Sequence, residues 1–322
     1  MTRLLIVFAA VFALCSLTKG SMFLSTSNFQ SMGKQFPEFG LLSIGMALAL
    51  FTGGIDLSIV YIATLSSVII ARLLPLMVTE TATDGTAYMM VIVCFILAIA
   101  VGIICGMLNG FIISKVGIPP ILATLGTQAL FQGFAIVITG GSTISGFPIQ
   151  LSTMVNKLVF GIPVTVIVFI ICAIVVGFIL ARTTLGRQLR MLGTNPKATE
   201  YTGLNNVKLT MTSYMMSGIL ASIAGIIMIG RFNSAKADYG ASYTMQAILI
   251  AVMGGIDPNG GKGNIQGVAI AIIIIQMVSS WLNMFENVSN FYRQIIWGGL
   301  LIFILIFNYV INVREKKAAM KK

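Results

Sequence analysis

The residues best placed to do chemistry are polar ones stranded in apolar sequence. Asp56 stands in Thr52-Gly53-Gly54-Ile55-Asp56-Leu57-Ser58, which interrupts an apolar run from Phe39 to Val78. A carboxylate at membrane depth costs roughly 2.5–3.5 kcal/mol on insertion scales, so one that persists lines a cavity or holds a helix start. Asp-Leu-Ser also suits capping of a helix that begins at Leu57, where orphan N–H groups need acceptors. The pair Gly53-Gly54 is where the run can break and expose backbone groups that need partners. Asn109, Thr124, Thr127, Gln128 and Gln132 add donors and acceptors in apolar surroundings. With Gly53, Gly54 and Asp56 they form a candidate translocation path. Each equally suits a helix–helix hydrogen bond, worth roughly 0.6 kcal/mol.

Other chemistries lack their residues. Histidine is absent, which removes the commonest general base and metal ligand. Cys15, Cys94, Cys105 and Cys172 all lie in apolar runs with no C-x-x-C pair, so they read as small buried hydrophobes. Neither a G-x-S-x-G nor a set of acidic and histidine ligands occurs, so an intramembrane enzyme is disfavoured.

A second feature is the hydrophilic segment 182–208. Within it, Asn195 is a natural N-cap, Pro196 a natural first helical residue, and Gly203 is placed for a left-handed stop after Lys197 and Glu200. One short helix is specified, too short to be stable in water by itself. It docks against something. A partner protein and an amphipathic loop held at the headgroups by its arginines are both open readings.

These features sit in a membrane protein. Charged residues make up 9% of the 322 residues and apolar ones 57%, and the mean hydropathy is +0.98. A soluble domain carries about 25% charged residues. We expect an all-α polytopic bundle of about ten spans with broken helices, forming a single transmembrane domain over 1–322. The expected order is an uncleaved first span to Leu17, a polar outer-interface stretch from Phe23 to Phe36, and a second span from Phe39 to Phe51. Spans at 57–78, 88–113, 120–139, 162–181, 209–230, 241–253, 265–285 and 291–311 follow. The fourth is read as interrupted near Gly106 and Asn109-Gly110, and 79–86 as an acidic loop. With the amino end inside, most of the 20 basic residues fall on inner segments, so both termini are expected in the cytoplasm. The net charge of +11 then reflects topology, and no nucleic-acid partner is implied. Gly-Gly-Ile-Asp occurs at 53–56 and again at 254–257, and paired interruptions can mark a repeat-built transporter.

The chain resembles the permease subunits of bacterial ABC importers of the ribose/xylose/galactose type, a group that includes autoinducer-2 permeases. The resemblance is carried by 52–58, Leu108-Asn109-Gly110, Ile118-Pro119-Pro120 with Ala123 to Thr127, Thr184 to Arg187 with Gly193 and Asn195 to Gly203, and Gly254-Gly255 with Gly260 to Gly263. These stretches occur in family order along nearly the whole chain. The resemblance implies an ATPase-coupling helix at Asn195–Gly203, a homo- or heterodimer of permeases, an extracytoplasmic sugar-binding protein and a bacterial inner-membrane location. The chain has no G-x-x-x-x-G-K-[ST], so it is not expected to bind and hydrolyse ATP by that route; no cofactor is expected on this chain, and a partner ATPase would use ATP and Mg. The expected function is permeation of a small polar solute, a monosaccharide such as ribose. An ion-coupled secondary transporter is the alternative, for which only Asp56 supplies a deep ionisable group.

Overall fold

The structure is a computed structural model that describes residues 2–78, 83–285, 292 and 295–306. The acidic stretch 79–82 and the basic tail, and part of the span expected at 291–311, lie outside the described residues. The helices are α1 (Thr2–Phe23), α2 (Thr26–Phe51), α3 (Ile59–Met77), α4 (Asp84–Phe111), α5 (Pro120–Thr139), α6 (Ile149–Asn156) and α7 (Val164–Arg182). They continue with α8 (Thr184–Thr194), α9 (Pro196–Tyr201), α10 (Asn206–Phe232), α11 (Tyr243–Met253) and α12 (Ile265–Leu282), and α13 (Ile295–Ile306) ends the described chain. Two antiparallel two-residue pairs decorate the ends: Ile144–Ser145 with Ser234–Ala235, and Leu158–Val159 with Ile162–Pro163.

Seven helices among the described residues are long and apolar enough to cross a membrane: α1, α3, α4 with the π-turn that continues it, α5, α7, α10 and α12. Of the ten expected spans, seven coincide with these helices; the other three fall on α2, α11 and α13, which do not reach the same length and apolarity. α2 is long, but its first half is polar.

That polar half corrects the sequence reading. Residues 26–36 belong to the same helix as the apolar run, so Pro37 does not divide the two stretches. Pro37 sits inside α2 and has no N–H to offer the carbonyl of Gly33. The hydroxyl of Thr165 on α7 donates to that carbonyl instead, at 3.2 Å. The neighbouring helix satisfies what proline leaves open, so the helix continues.

α10 is the central helix, lying against α4, α2 and α3. α4 meets it through Gly102, Gly106 and Gly110, spaced four apart on one face. A Cβ on Gly106 would overlap the carbonyl oxygen of Tyr214, and one on Gly110 would lie 2.5 Å from the Cα of Met211. Small residues let two membrane helices approach backbone to backbone, which replaces the hydrophobic drive that lipid cannot supply. The expected interruption of α4 at Gly106 and Asn109-Gly110 is therefore absent. The helix runs through both and turns irregular only at the π-turn Ile112–Val116.

One end of the bundle gathers the π-turn with Lys115, the start of α5, the whole of α8 and α9, the start of α10 with Lys208, and the loop with Lys262. The opposite end carries the α1–α2 turn, α6, and the Glu38 and Arg231 side chains.

Candidate functional site

The two Gly-Gly-Ile-Asp copies make the same helix stop, one residue out of register. In α2 the left-handed residue is Gly53 (φ +80°), with Gly53 N–H donating to Leu50 O and Gly54 N–H to Ala49 O. In α11 it is Gly255 (φ +88°), with Gly255 N–H donating to Val252 O and Ile256 N–H to Ala251 O. This paired bonding closes the last turn of a helix and favours glycine at the left-handed position. The aspartates therefore leave the two stops differently. Asp257 accepts from the backbone N–H of Asn259 at 3.0 Å in a local turn, whereas Asp56 points inward and is fully buried.

After its stop the chain at 53–58 folds back alongside α2. Ile59 reaches Gly45, and Ser217 lies between Gly45 and Asp56. Gly45 is six residues before Phe51, so Asp56 sits about 9 Å inside the end of α2. Its Oδ1 accepts from Ser58 N–H at 3.2 Å and from the Ser58 hydroxyl at 2.7 Å, and its Oδ2 accepts from the Ser217 hydroxyl at 3.0 Å. Asn109 Nδ2 donates to Ser58 Oγ at 2.7 Å, and the Thr124 hydroxyl donates to Ile55 O at 2.9 Å. The expected cap is thus modified: Asp56 holds the Ser58 turn, and α3 starts at Ile59 behind it. Asn109 Oδ1 and the Tyr214 hydroxyl are buried at the same place with no partner. Tyr214 presses so closely on Gly54 that a Cβ there would overlap its hydroxyl.

Asp56→Val should lower the melting temperature of the purified protein. It strands two serine hydroxyls and one N–H, and each unpaired buried group costs about 1–3 kcal/mol. Asp56→Asn, which keeps an acceptor, should lose less in the same thermal scan.

On the other side of the turn lies a knot of four glycines. Gly261 N–H donates to Phe51 O at 3.0 Å. A Cβ on Gly193, at the end of α8, would overlap that same oxygen and lie 2.5 Å from the nitrogen of Gly261. A Cβ on Gly260 would lie 2.6 Å from Gly193 O and 2.8 Å from Gly53 N. Arg190 of α8 stacks over the Phe51 ring, 5.2 Å from its centroid. The stop of α2, the loop 257–262 that follows α11 and the end of α8 thus touch through backbone atoms.

The eight candidate path residues therefore divide. Gly53, Gly54, Asp56, Asn109 and Thr124 come together around one turn. Thr127 is buried a turn further along α5, where its hydroxyl donates to Thr124 O at 3.4 Å. Gln128 and Gln132 are half-buried and stay apart from the cluster, with Gln132 about 12 Å along the helix from Thr124. Of the candidate coupling residues, Gly193 belongs to the knot. Asn195 caps α9, its Oδ1 accepting from Ala198 N–H at 3.0 Å, with Pro196 as first residue. Gly203 follows the α9 cap at φ +80°, and Lys197 and Glu200 are exposed on that helix.

Several participants were missed in the sequence. Ser58, Tyr214 and Ser217 carry no mark that separates them from other polar residues in spans. α8 was read as part of a hydrophilic segment, although Thr183 caps it as Asn195 caps α9. Near the opposite end, Glu38 is fully buried and paired with Arg231. Arg231 Nε donates to Oε2 at 3.0 Å and its terminal nitrogen to Oε1 at 2.5 Å, and the Tyr243 hydroxyl also donates to Oε1. An acidic residue directly before a long apolar run was the available signal.

The family described as the permease component of branched-chain amino acid transport systems matches residues 31–305, which takes in the Asp56 cluster, the glycine knot and α8–α9. The chain belongs to this permease family. Similar proteins are autoinducer 2 import system permease LsrD of Photorhabdus luminescens and D-allose transport system permease AlsC of Escherichia coli K12. LsrD is 31% identical over 291 residues, covering 88% of this chain and 82% of the relative. AlsC is 30% identical over 296 residues, covering 92% and 87%. LsrD of Yersinia enterocolitica is 29% identical over 273 residues, covering 83% of this chain and 79% of its own length. No solved structure matches. The permease is a multi-pass protein of the bacterial inner membrane and a subunit of an ABC import system. Such a system in general includes an ATPase and a substrate-binding protein.

Proposed function

We propose that this permease carries a small polar solute, a monosaccharide such as ribose, by alternating access driven from a separate ATPase. The observation that supports this reading most directly is the glycine knot. α8 and α9 lie in the polar segment 182–208, and the end of α8 is keyed by backbone contact into the stop of α2 and the loop at Gly260–Gly261 that follows α11. A partner that grips α9 at Lys197, Glu200 and the cap Asn195-Pro196 moves Gly193. Gly193 cannot move without displacing Phe51 O and Gly260–Gly261. From there the displacement reaches the turn at Gly53–Ser58, which α4, α5 and α10 hold through Asn109, Thr124 and Ser217. A ligand or nucleotide shifts such an equilibrium only by its differential affinity for the two states. ATP and Mg would act in the ATPase. The polar segment then faces the cytoplasm, as the clustering of Lys115, Arg187, Arg190, Lys197, Lys208 and Lys262 at that end suggests.

Relatives that carry autoinducer 2 and D-allose in their names support a sugar-like cargo. A second permease subunit would cover the apolar face of α5, where Leu122, Leu125 and Val137 are exposed. An ion-coupled mechanism finds little support at Asp56, whose two oxygens are occupied by serine donors.

Glu200→Lys and Gly203→Pro are expected to uncouple the importer. Reconstituted with its ATPase and binding protein, each variant should hydrolyse ATP while sugar uptake falls to background, with the amount in the membrane unchanged. Uptake at the parent rate in both would remove the docking role from α9.

A further inference from the structure

The length of α7 fixes the depth of the short hairpin that precedes it. The 19 residues from Val164 to Arg182 measure about 28 Å along the axis, close to the roughly 30 Å of a bilayer's hydrocarbon core. The hairpin 158–163 ends where α7 begins, with Val164 N–H donating to Lys157 O at 2.9 Å. It therefore sits at the headgroup boundary, at the end of the bundle opposite the glycine knot. Its turn breaks a local rule. Phe160 and Gly161, between the paired Val159 and Ile162, have φ of +51° and +80°. A two-residue turn with both positions left-handed favours Asn-Gly. Glycine fits the second position, but phenylalanine at the first is strained. Packing against the described residues does not offset that strain, because the Phe160 side chain is fully exposed. Leu158 and Ile162 beside it are exposed as well.

An apolar groove of about 440 Å³ lies beside the hairpin. Phe8 and Phe12 of α1, Phe29 and Phe36 of α2, and Ile162 and Val166 line it, and among the described residues no charged side chain does. The polar exceptions are Thr26 and Gln30, in the first two turns of α2, and Gln276, whose amide is turned to Gln35. The same apolar surface continues from the hairpin along α7, where Ile170, Ile171, Ile174 and Val175 are exposed. In a multi-pass membrane protein that surface meets lipid, so the hairpin tip and the groove are continuous with the lipid-facing flank.

We propose that the hairpin and the groove hold a phospholipid of the outer leaflet, with an acyl chain in the groove and the Phe160 ring set where chains meet headgroups. Aromatic rings concentrate at that level of a bilayer. An apolar cleft of this kind excludes water, and a flexible hydrocarbon chain can follow its irregular wall. Lys157 is exposed at the base of the hairpin and forms no ion pair among the described residues, which brings a cation to the level of the phosphate. α1 rests chiefly on α12, so a chain in the groove gives Phe8 and Phe12 a packing partner on another side. The strained turn then has a reason, since the ring is placed for the lipid and not for the protein's own core. The transport reading above supplies only the name of the leaflet.

Two measurements on the full chain test this. In nanodiscs, the emission that Phe160→Trp adds over the parent should be quenched by phosphatidylcholine brominated near the glycerol end of its chains, and little by lipid brominated at the chain ends. Any other pattern, above all no quenching by either lipid, would take the ring away from that boundary and overturn the proposal. Native mass spectrometry then follows the phospholipid that survives detergent washing. Phe160→Asn should lower its retention about tenfold, the scale of one large apolar side chain moved from lipid to water. The melting temperature of that variant in detergent should stay at or above the parent's, because asparagine suits the left-handed position. Ile162→Trp, which fills the groove from an exposed position, should displace the lipid with the hairpin intact. Retention unchanged in either variant would overturn the proposal. So would weaker capture of the extracytoplasmic binding protein by Phe160→Asn with its lipid kept, which would give the tip to a protein partner. Neither lipid measurement involves ATP or solute, so this proposal and the transport reading can fail separately.

Discussion

Gly193→Ala is expected to abolish sugar uptake by the reconstituted importer while leaving ATP hydrolysis measurable. The added Cβ meets the carbonyl oxygen of Phe51 and the amide nitrogen of Gly261, both backbone atoms already bonded to each other. No side chain can turn aside to make room. Overpacking a tight contact costs about 1–3 kcal/mol when neighbours shift, and here the shift separates α8 from the α2 stop. Transmission should fail more than stability does. Uptake and ATPase rates measured together, with a thermal scan beside them, separate the two effects. Gly85→Ala is the control, since a Cβ there meets nothing within 4 Å. Equal loss of uptake in both variants would mean that the knot transmits nothing in particular.

The second large effect is expected at Glu38 and Arg231. Removing one member of a buried ion pair leaves the other uncompensated and typically costs about 3–5 kcal/mol. Arg231→Met should therefore sharply lower the unfolding midpoint in micelles, and Glu38→Leu should do likewise. The double variant should recover most of the loss, because replacing both partners by apolar groups of similar size is often neutral or stabilising. The Tyr243 hydroxyl also donates to Glu38, so the double variant removes that bond as well. Simple additivity in the double-mutant cycle would show that the pair contributes nothing as a pair. The pair joins α2 to the end of α10, and Tyr243 adds α11, so the same variants test whether these three helices hold together at that end.

Much of this molecule was legible along the chain. Long apolar runs gave the helices, because a bilayer leaves backbone groups no partner outside the helix itself. Asn195 with Pro196 started α9 and Gly203 ended it, because capping depends on neighbours within one turn. Gly53 and Gly255 stopped their helices for the same local reason. Where the reading failed, the deciding partner was remote. Pro37 looked like punctuation, but α7 supplied Thr165 to complete the bond that proline cannot make. Gly106 and Gly110 looked like weak points in α4, yet they are where α10 comes closest.

The sequence alone determined that this is a membrane-embedded helical protein with a polar segment at 182–208 that starts and stops its own short helix, since hydropathy and caps are properties of consecutive residues. Only the tertiary structure decided that Gly53, Gly193 and Gly260 meet, that Asp56 turns inward onto Ser58 and Ser217, and that Glu38 finds Arg231. Apart from Ser58, two residues from Asp56, those partners lie from 67 to 207 positions apart along the chain. They follow from how the helices stack against one another, and nothing within one turn of any of these residues encodes the stacking partner.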